Sequence, residues 1–137
     1  MSSPRGRPKD EPSTRPLLDK LGVKPEHRVA LLNLDEPDFL FQVMGRAAQV
    51  YVNRRRVGLD LIFIRVERRE ELRKVRTQRS FIAPDGAIWV VWPKGSKSIN
   101  ESDVRDAALE AGLVDVKVVS FSPTLSALKL VIRTEDR

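Results

Sequence analysis

Arginine and lysine are the residues of this 137-residue chain whose number and spacing predict chemistry. Residues 46–79 carry eleven of them against four carboxylates, a net charge of +7, so they hold more than the +6 of the whole chain. Guanidinium groups pair their N–H donors with phosphate oxygens, and a basic segment attracts polyanions. The candidate phosphate contacts are Arg54, Arg55, Arg56, Arg69, Arg73 and Arg76. An alternative is a solvated face, or a surface for an acidic protein partner.

A second positive group lies near the N-terminus, in the sequence Pro4-Arg5-Gly6-Arg7-Pro8-Lys9. Flanking prolines hold the backbone extended, and a glycine without Cβ lets it approach the floor of a narrow groove. The minor groove of A·T tracts is narrow and strongly negative. This segment resembles the AT-hook, which implies that it binds A·T-rich DNA. The residues concerned are Arg5, Gly6, Arg7, Pro8 and Lys9. A basic tail without sequence preference is the alternative.

The third candidate is an anion-binding loop between a predicted strand and a predicted helix. Its residues are Lys94, Gly95, Ser96 and Lys97. Free backbone amides at such a position attract anions. The loop matches no known phosphate-binding signature, so a polar loop with two solubilising lysines is the alternative.

Other kinds of chemistry find little support in the sequence. The chain has no cysteine, which excludes disulfides and thiolate ligands. His27 is the only histidine and is interpreted as structural, and we predict neither a metal nor a cofactor. The longest apolar run, residues 87–92, is far shorter than the roughly 20 residues that cross a bilayer. We therefore expect a soluble cytoplasmic protein, associated with the nucleoid if the tail binds DNA.

Hydrophobic periodicity separates a tail, residues 1–16, from one folded domain, residues 17–137. The tail holds four of the nine prolines and a single apolar residue. The domain alternates strands with helices, which predicts an α/β fold with a mostly parallel sheet and a C-terminal antiparallel hairpin. Residues 54–58 alone separate the second and third strands, although a parallel crossover usually takes about a dozen residues. Either the basic segment runs back bare across the sheet, which we favour, or these strands are antiparallel.

Two resemblances bear on the fold. The pattern of residues 59–133 is similar to the C-terminal half of class I methyltransferases, with an Ala-Gly-Leu helix end and a closing hairpin. Residues 17–133 resemble a family of small bacterial domains with no assigned activity, through the motifs beginning at Lys20 and Ala83. Both resemblances imply a Rossmann-like, methyltransferase-like three-layer sandwich.

The cofactor-binding motifs of methyltransferases are absent. Those enzymes have a glycine-rich turn after the first strand and a carboxylate at the end of the second. Here the turn is Asn33-Leu34-Asp35-Glu36-Pro37 and the second strand ends at Asn53. We therefore predict a non-enzymatic DNA-associated protein whose degenerate domain adds phosphate or partner contacts. The alternative is a small-molecule or nucleotide-binding module, and so a cryptic enzyme, that uses the strand-end loops near Asn33 and Lys94.

Overall fold

Six strands form a single mixed sheet in the computed structural model, which describes residues 16–137. The strands are β1 (Arg28–Leu32), β2 (Gln49–Val52), β3 (Leu59–Arg65), β4 (Ile82–Pro93), β5 (Leu113–Ser120) and β6 (Leu125–Ile132). The α-helices are α1 (Leu17–Lys20), α2 (Pro37–Arg46), α3 (Arg73–Gln78) and α4 (Glu101–Glu110). Turns of 3₁₀ helix lie at Arg69–Leu72, Arg79–Phe81 and Thr134–Asp136.

The strand order across the sheet is β2-β1-β3-β4-β6-β5. Strands β1 to β4 are parallel, whereas β6 runs antiparallel to both β4 and β5. The predicted α/β fold is confirmed, including its terminal hairpin. The second strand is short and parallel, the arrangement we favoured, so residues 53–58 return across the sheet as a bare basic crossover.

The core lies on both faces of the sheet. Helices α1 and α2 cover one face, where Leu21, Phe39 and Val43 are buried. Helices α3 and α4 cover the other face with an apolar set that includes Val75 and Val104. Because side chains alternate along a strand, Trp89 and Trp92 lie on opposite faces. Both are buried.

Two local features differ from the sequence prediction. The polar pattern of residues 67–79 predicts one continuous helix, but α3 is shorter, and a 3₁₀ turn lies on each side of it. Only Leu72, Val75 and Gln78 anchor this segment in the core, and helices gain most of their stability from such packing. The sequence Pro84-Asp85-Gly86 is typical of a turn, but in the structure it lies inside β4 as an irregularity, where the pairing with β3 shifts. A Cβ on Gly86 would lie 2.8 Å from the Leu59 carbonyl oxygen, so this close approach requires glycine.

Asn100, with Asp103 at the third helical position, predicts a capping box at the start of α4, and the structure forms it. The Asn100 side chain accepts a hydrogen bond from the Asp103 amide at 3.0 Å, and the Asp103 carboxylate accepts one from the Asn100 amide at 3.0 Å. This reciprocal capping box fixes the helix where it leaves the loop after β4. Within residues 16–137, no helix combines the length and the apolar character needed to cross a membrane.

Candidate functional site

The carboxyl ends of the parallel strands β1, β2 and β3 lie together at one end of the sheet, and the chain leaves them towards opposite faces. From β1 the chain continues into α2 on one face, and from β3 it continues into α3 on the other. Ligands of open α/β sheets bind at such a switch point, outside the carboxyl ends of the strands. A cleft of about 410 Å³ lies there. It is lined by Leu32, Asn33, Asn53, Arg55, Ile64, Lys74, Thr77 and Gln78.

Two asparagines shape the floor of this cleft. Asn33 follows β1 with φ 57°, and Asn53 follows β2 with φ 54°. Asparagine tolerates this left-handed conformation better than other residues with a Cβ. The Asn33 amide donates to Oδ1 of Asn53 at 2.8 Å, and the Asn53 amide donates to the Leu31 carbonyl at 2.8 Å. The first turn therefore takes up a glycine-like conformation without glycine, and the two strand ends are joined.

Arg55 is held in place from two sides. Its guanidinium carbon lies 4.3 Å from the centre of the Phe81 ring, and its Nη1 donates to Oε1 of Gln78 at 3.2 Å. Gln78 is the one buried polar residue among the described residues, and its Nε2 donates to the Lys74 carbonyl at 2.9 Å. No ion pair involves Arg55 within residues 16–137. A positioned guanidinium without a carboxylate partner thus faces the cleft.

The cleft is cationic. Arg55 and Lys74 are its charged lining residues, and none of the eight residues is a carboxylate. Next to it, Arg65 pairs with Glu36 at 3.4 Å and also with Glu67, which joins the first turn to the end of β3. Arg65 is outnumbered by these two carboxylates, so the positive charge beside the strand ends comes from Arg55 and Lys74.

The structure separates the predicted arginine triplet. Arg54 and Arg56 lie over the Tyr51 ring, at 5.5 and 5.6 Å from its centre, and Arg28 lies at 6.0 Å. They cover Tyr51, which packs against the core on the α3 and α4 side. Of the three, Arg55 alone lines the cleft, and phosphate contact by Arg54 and Arg56 stays a prediction.

The predicted helix arginines lie away from the cleft, in a groove between α3 and α4. Arg69 pairs with Asp103 at 3.1 Å, while Arg73 Nη1 donates to the Glu70 carbonyl at 3.2 Å. The hydrogen bond from Arg69 lowers the pKa of Asp103, and Asp103 in turn raises the pKa of Arg69. The groove is lined by Arg69, Arg73 and Arg76 together with Asp103, Asp106 and Glu110. Its charge is therefore mixed, and phosphate contact by these arginines stays a prediction.

The predicted anion loop is engaged with its own neighbours. Lys94 Nζ donates to Oγ of Ser120 at 2.6 Å, and the Ser98 amide donates to Oγ of Ser96 at 3.0 Å. Gly95 takes a left-handed φ of 67°, and Lys97 is exposed. The loop does not line the strand-end cleft. Anion binding by this loop stays a prediction.

The tail residues Arg5, Gly6, Arg7, Pro8 and Lys9 lie outside the described residues. Sequence reasoning missed Asn53, Lys74 and Gln78 as members of one site. A signal for Gln78 was present, because it follows Leu72 and Val75 at three-residue spacing on the buried side of the segment. His27 accepts a hydrogen bond from the Lys24 amide at Nδ1, 3.2 Å away, in agreement with a structural role.

No protein-family model and no curated protein sequence matches the chain. Solved structures do match it. An S-adenosylmethionine (SAM) dependent methyltransferase from Aquifex aeolicus superposes with a TM-score of 0.68 at 13% identity, over 85% of this chain and 88% of that one. The chain has a class I methyltransferase fold. A complex of DhpI with SAH gives a TM-score of 0.63 at 11% identity, over 86% and 83% of the two chains. The fibrillarin pre-rRNA processing protein of Methanococcus jannaschii gives 0.54 at 8% identity, over 80% and 68%.

These likenesses contradict our prediction of a non-enzymatic DNA-associated protein. The described residues form a methyltransferase-like fold that solved SAM-dependent methyltransferases share, and a cleft lies at its strand-end edge. The prediction weighted total charge, whereas in the structure many of the arginines cover an aromatic ring or pair with carboxylates. The alternative, a small-molecule or nucleotide-binding module at the strand-end loops, is better supported. The prediction that the chain is not an enzyme is overturned by the same likeness.

The cleft can be tested against S-adenosylmethionine, the cofactor that this fold implies. That molecule carries a sulfonium and an ammonium group against one carboxylate, so its net charge is positive. The cleft presents Arg55 and Lys74 and no carboxylate to pair with the sulfonium or the ammonium group. The residues present therefore do not fit a cationic sulfonium cofactor and favour an anionic ligand.

Proposed function

We propose that this domain binds a small nucleotide in the strand-end cleft, with the phosphate group on Arg55. The observation that carries the proposal is the state of Arg55: fixed by Phe81 and Gln78, and paired with no described carboxylate. A guanidinium fork matches the oxygens of a phosphate. Because packing and hydrogen bonding already hold it, little side-chain entropy is lost when the ligand binds.

The rest of the cleft suits the other parts of a nucleotide. Leu32 and Ile64 give it an apolar surface for a base, and Asn33, Asn53 and Thr77 offer amide and hydroxyl groups to a base or a ribose. Lys74 adds a second cation for the phosphate. A volume of about 410 Å³ lies within the range of small-ligand sites, roughly 300–1,000 Å³.

This arrangement determines what the cleft can do chemically. The fixed guanidinium of Arg55, with Lys74 beside it, stabilises negative charge on a phosphoryl oxygen, in the ground state and wherever further charge develops.

Isothermal titration of the full chain with ATP, AMP and S-adenosylmethionine tests the proposal. We expect ATP to bind at least about tenfold more tightly than S-adenosylmethionine, a difference of about 1.4 kcal/mol. In Arg55→Gln the Kd for ATP should rise about tenfold or more, because a hydrogen bond to a charged group contributes roughly 1.5–3 kcal/mol.

Arg54→Gln is the matched comparison, since it removes the same charge from the neighbouring residue that covers Tyr51. Its Kd for ATP should change less than about threefold, the share of general electrostatic attraction. An equal loss in both variants would assign ATP binding to general attraction and refute the cleft. Tighter binding of S-adenosylmethionine than of ATP would also refute the proposal and would favour methyl transfer, which a methyl-acceptor assay would then test.

A further inference from the structure

A second cavity, of about 430 Å³, lies at the other end of the sheet, where the parallel strands begin. Asp60 and Leu61, at the start of β3, line it, whereas the strand-end cleft lies beyond the ends of β1 to β3. The remaining lining residues are Gly22, Lys24, His27, Asp85, Ala87, Val116, Lys129, Val131 and Arg137. The two cavities share no residue, so this one is independent of the proposed nucleotide site.

Lys129 is the central charged group of this cavity. In the sheet it pairs between Trp89 of β4 and Lys117 of β5, so its stem lies among strand residues. Its side chain is partly buried, and the nearest influential charges are those of Lys117 and Lys24. Burial, and then the two like charges, lower the pKa of Lys129. No carboxylate lies within ion-pair distance of Lys129 in the described part of the chain.

The other charged groups of the cavity compensate this positive charge only in part. Asp60 accepts a hydrogen bond from the Arg28 amide at 2.8 Å, and Asp85 is exposed. Arg137 adds another cation, and its Nε donates to the Ile132 carbonyl at 2.9 Å. His27 accepts from a backbone amide, as described above. Three Lys and Arg residues therefore line the cavity against two carboxylate side chains, and Lys117 adds a fourth cation from its position opposite Lys129 in β5.

We infer that this cavity is a binding site for a small multivalent oxyanion, with Lys129 as its central ligand and Lys24 and Lys117 at its sides. The repulsion between the lysines is stronger because Lys129 is partly buried, and attraction to an anion placed between them would offset it. Inorganic phosphate and polycarboxylates share the required chemistry: several acceptor oxygens and a charge of about −2 or beyond. The cavity is large enough for such a group with a short carbon skeleton.

Titration with inorganic phosphate and with citrate tests this site in the Arg55→Gln variant at constant ionic strength. That background removes the main phosphate ligand of the proposed nucleotide cleft, so failure of one site is distinguished from failure of the other. We expect one anion per chain. In the additional variant Lys129→Met, the Kd should rise at least about tenfold, as expected for loss of a charged hydrogen bond.

Arg133→Gln is the matched control for charge, because Arg133 is exposed just beyond the end of β6 and lines neither cavity. It should leave the Kd unchanged, and Lys129→Arg should retain most of the binding. Binding at pH 9 should also take up protons in the parent and none in Lys129→Met, as judged by titration in buffers of different ionisation enthalpy. Equal affinities of the Lys129→Met and Arg133→Gln variants for the anions would overturn the inference. So would the absence of detectable binding at about 10 mM phosphate or citrate.

Discussion

Asn53 connects the stability of the fold with the shape of the strand-end cleft. It has a left-handed backbone, with φ 54°, and its Oδ1 accepts the Asn33 amide at 2.8 Å. Asn53→Ala removes this acceptor, a loss of about 1 kcal/mol. It also puts an alanine into the left-handed region, which costs about 1 kcal/mol more. We expect the free energy of unfolding to fall by about 2 kcal/mol, the sum of these two effects.

Asn53→Gly separates the two effects. Glycine loses the same hydrogen bond but adopts the left-handed conformation without steric strain, so a loss of about 1 kcal/mol is expected. Urea denaturation followed by tryptophan fluorescence measures both variants, because Trp89 and Trp92 are buried in the folded chain. The slopes of the transitions should match that of the parent. An alanine variant as stable as the parent, or more stable than the glycine variant, would refute the argument.

Asn53→Asp then separates shape from charge. The carboxylate keeps an acceptor for the Asn33 amide and tolerates the same backbone conformation, so we expect stability near that of the parent. It also places a negative charge in a cleft whose other charged groups are Arg55 and Lys74. ATP affinity should fall in titration while stability is retained. An unchanged affinity would show that Asn53 does not border the bound nucleotide.

The remaining predictions concern close packing and pH. In the same urea assay, Gly86→Ala should destabilise by roughly 1–3 kcal/mol, because its Cβ would meet backbone oxygens. Gly45→Ala in α2 should stabilise the fold by about 0.5–1 kcal/mol, because a Cβ at this position would meet no atom of the other described elements within 4 Å. The same change in stability for the Gly86 and Gly45 variants would contradict this. The pKa of Asp103 is lowered by Arg69, so the ionised carboxylate stabilises the fold at a pH above the ordinary carboxyl pKa. This stabilisation is lost as pH falls through the pKa of Asp103 in the folded state. In Asp103→Asn the urea midpoint should therefore fall less steeply with decreasing pH than in the parent. Midpoints of the variant and the parent that fall in parallel would refute this. The lowered pKa of Lys129 means that its charged form destabilises the fold at neutral pH, so Lys129→Met should be more stable than the parent there. This gain in stability should shrink as pH rises towards the ordinary lysine pKa. A stability difference that stays constant with pH would contradict the argument.

The sheet could be predicted from the sequence because its strands carry strong local signals. Residues 61–64 are apolar on both faces, as a central parallel strand must be. The capping box at Asn100 and Asp103 is likewise a short-range pattern, and the structure forms it. Such features depend on neighbours within a few residues, so local reasoning is sufficient.

The site could not be predicted in this way, because its members are far apart in the sequence. Arg54, Arg55 and Arg56 are identical in type, and their different positions depend on the path of the crossover over Tyr51 and Phe81. Gln78, which fixes Arg55, comes 23 residues later. A search for glycine at the first turn also missed that asparagine can take the left-handed conformation there.

The error about function has the same origin. A net charge of +7 over residues 46–79 suggested a surface for polyanions, but a sum of charges ignores carboxylates supplied by other parts of the chain. Asp103, Asp106 and Glu110 of α4 line the same groove as the arginines of α3, and Asp103 pairs with Arg69. Charge patterning along a chain therefore overestimates the potential of a surface that another helix completes.

The short crossover explains why the cleft is cationic. Residues 53–58 return from the end of β2 to the start of β3 with no helix of their own, so the sheet face beside Tyr51 needs another cover. Arginines can provide it, because their long stems and planar heads pack on aromatic rings while the charge stays in water. Arg54 and Arg56 do so over Tyr51, and Arg55, which lies between them in sequence, stacks on Phe81 and lines the cleft. The residues that replace a helix as cover thus also give this edge the charge that favours a phosphate-bearing ligand over a sulfonium.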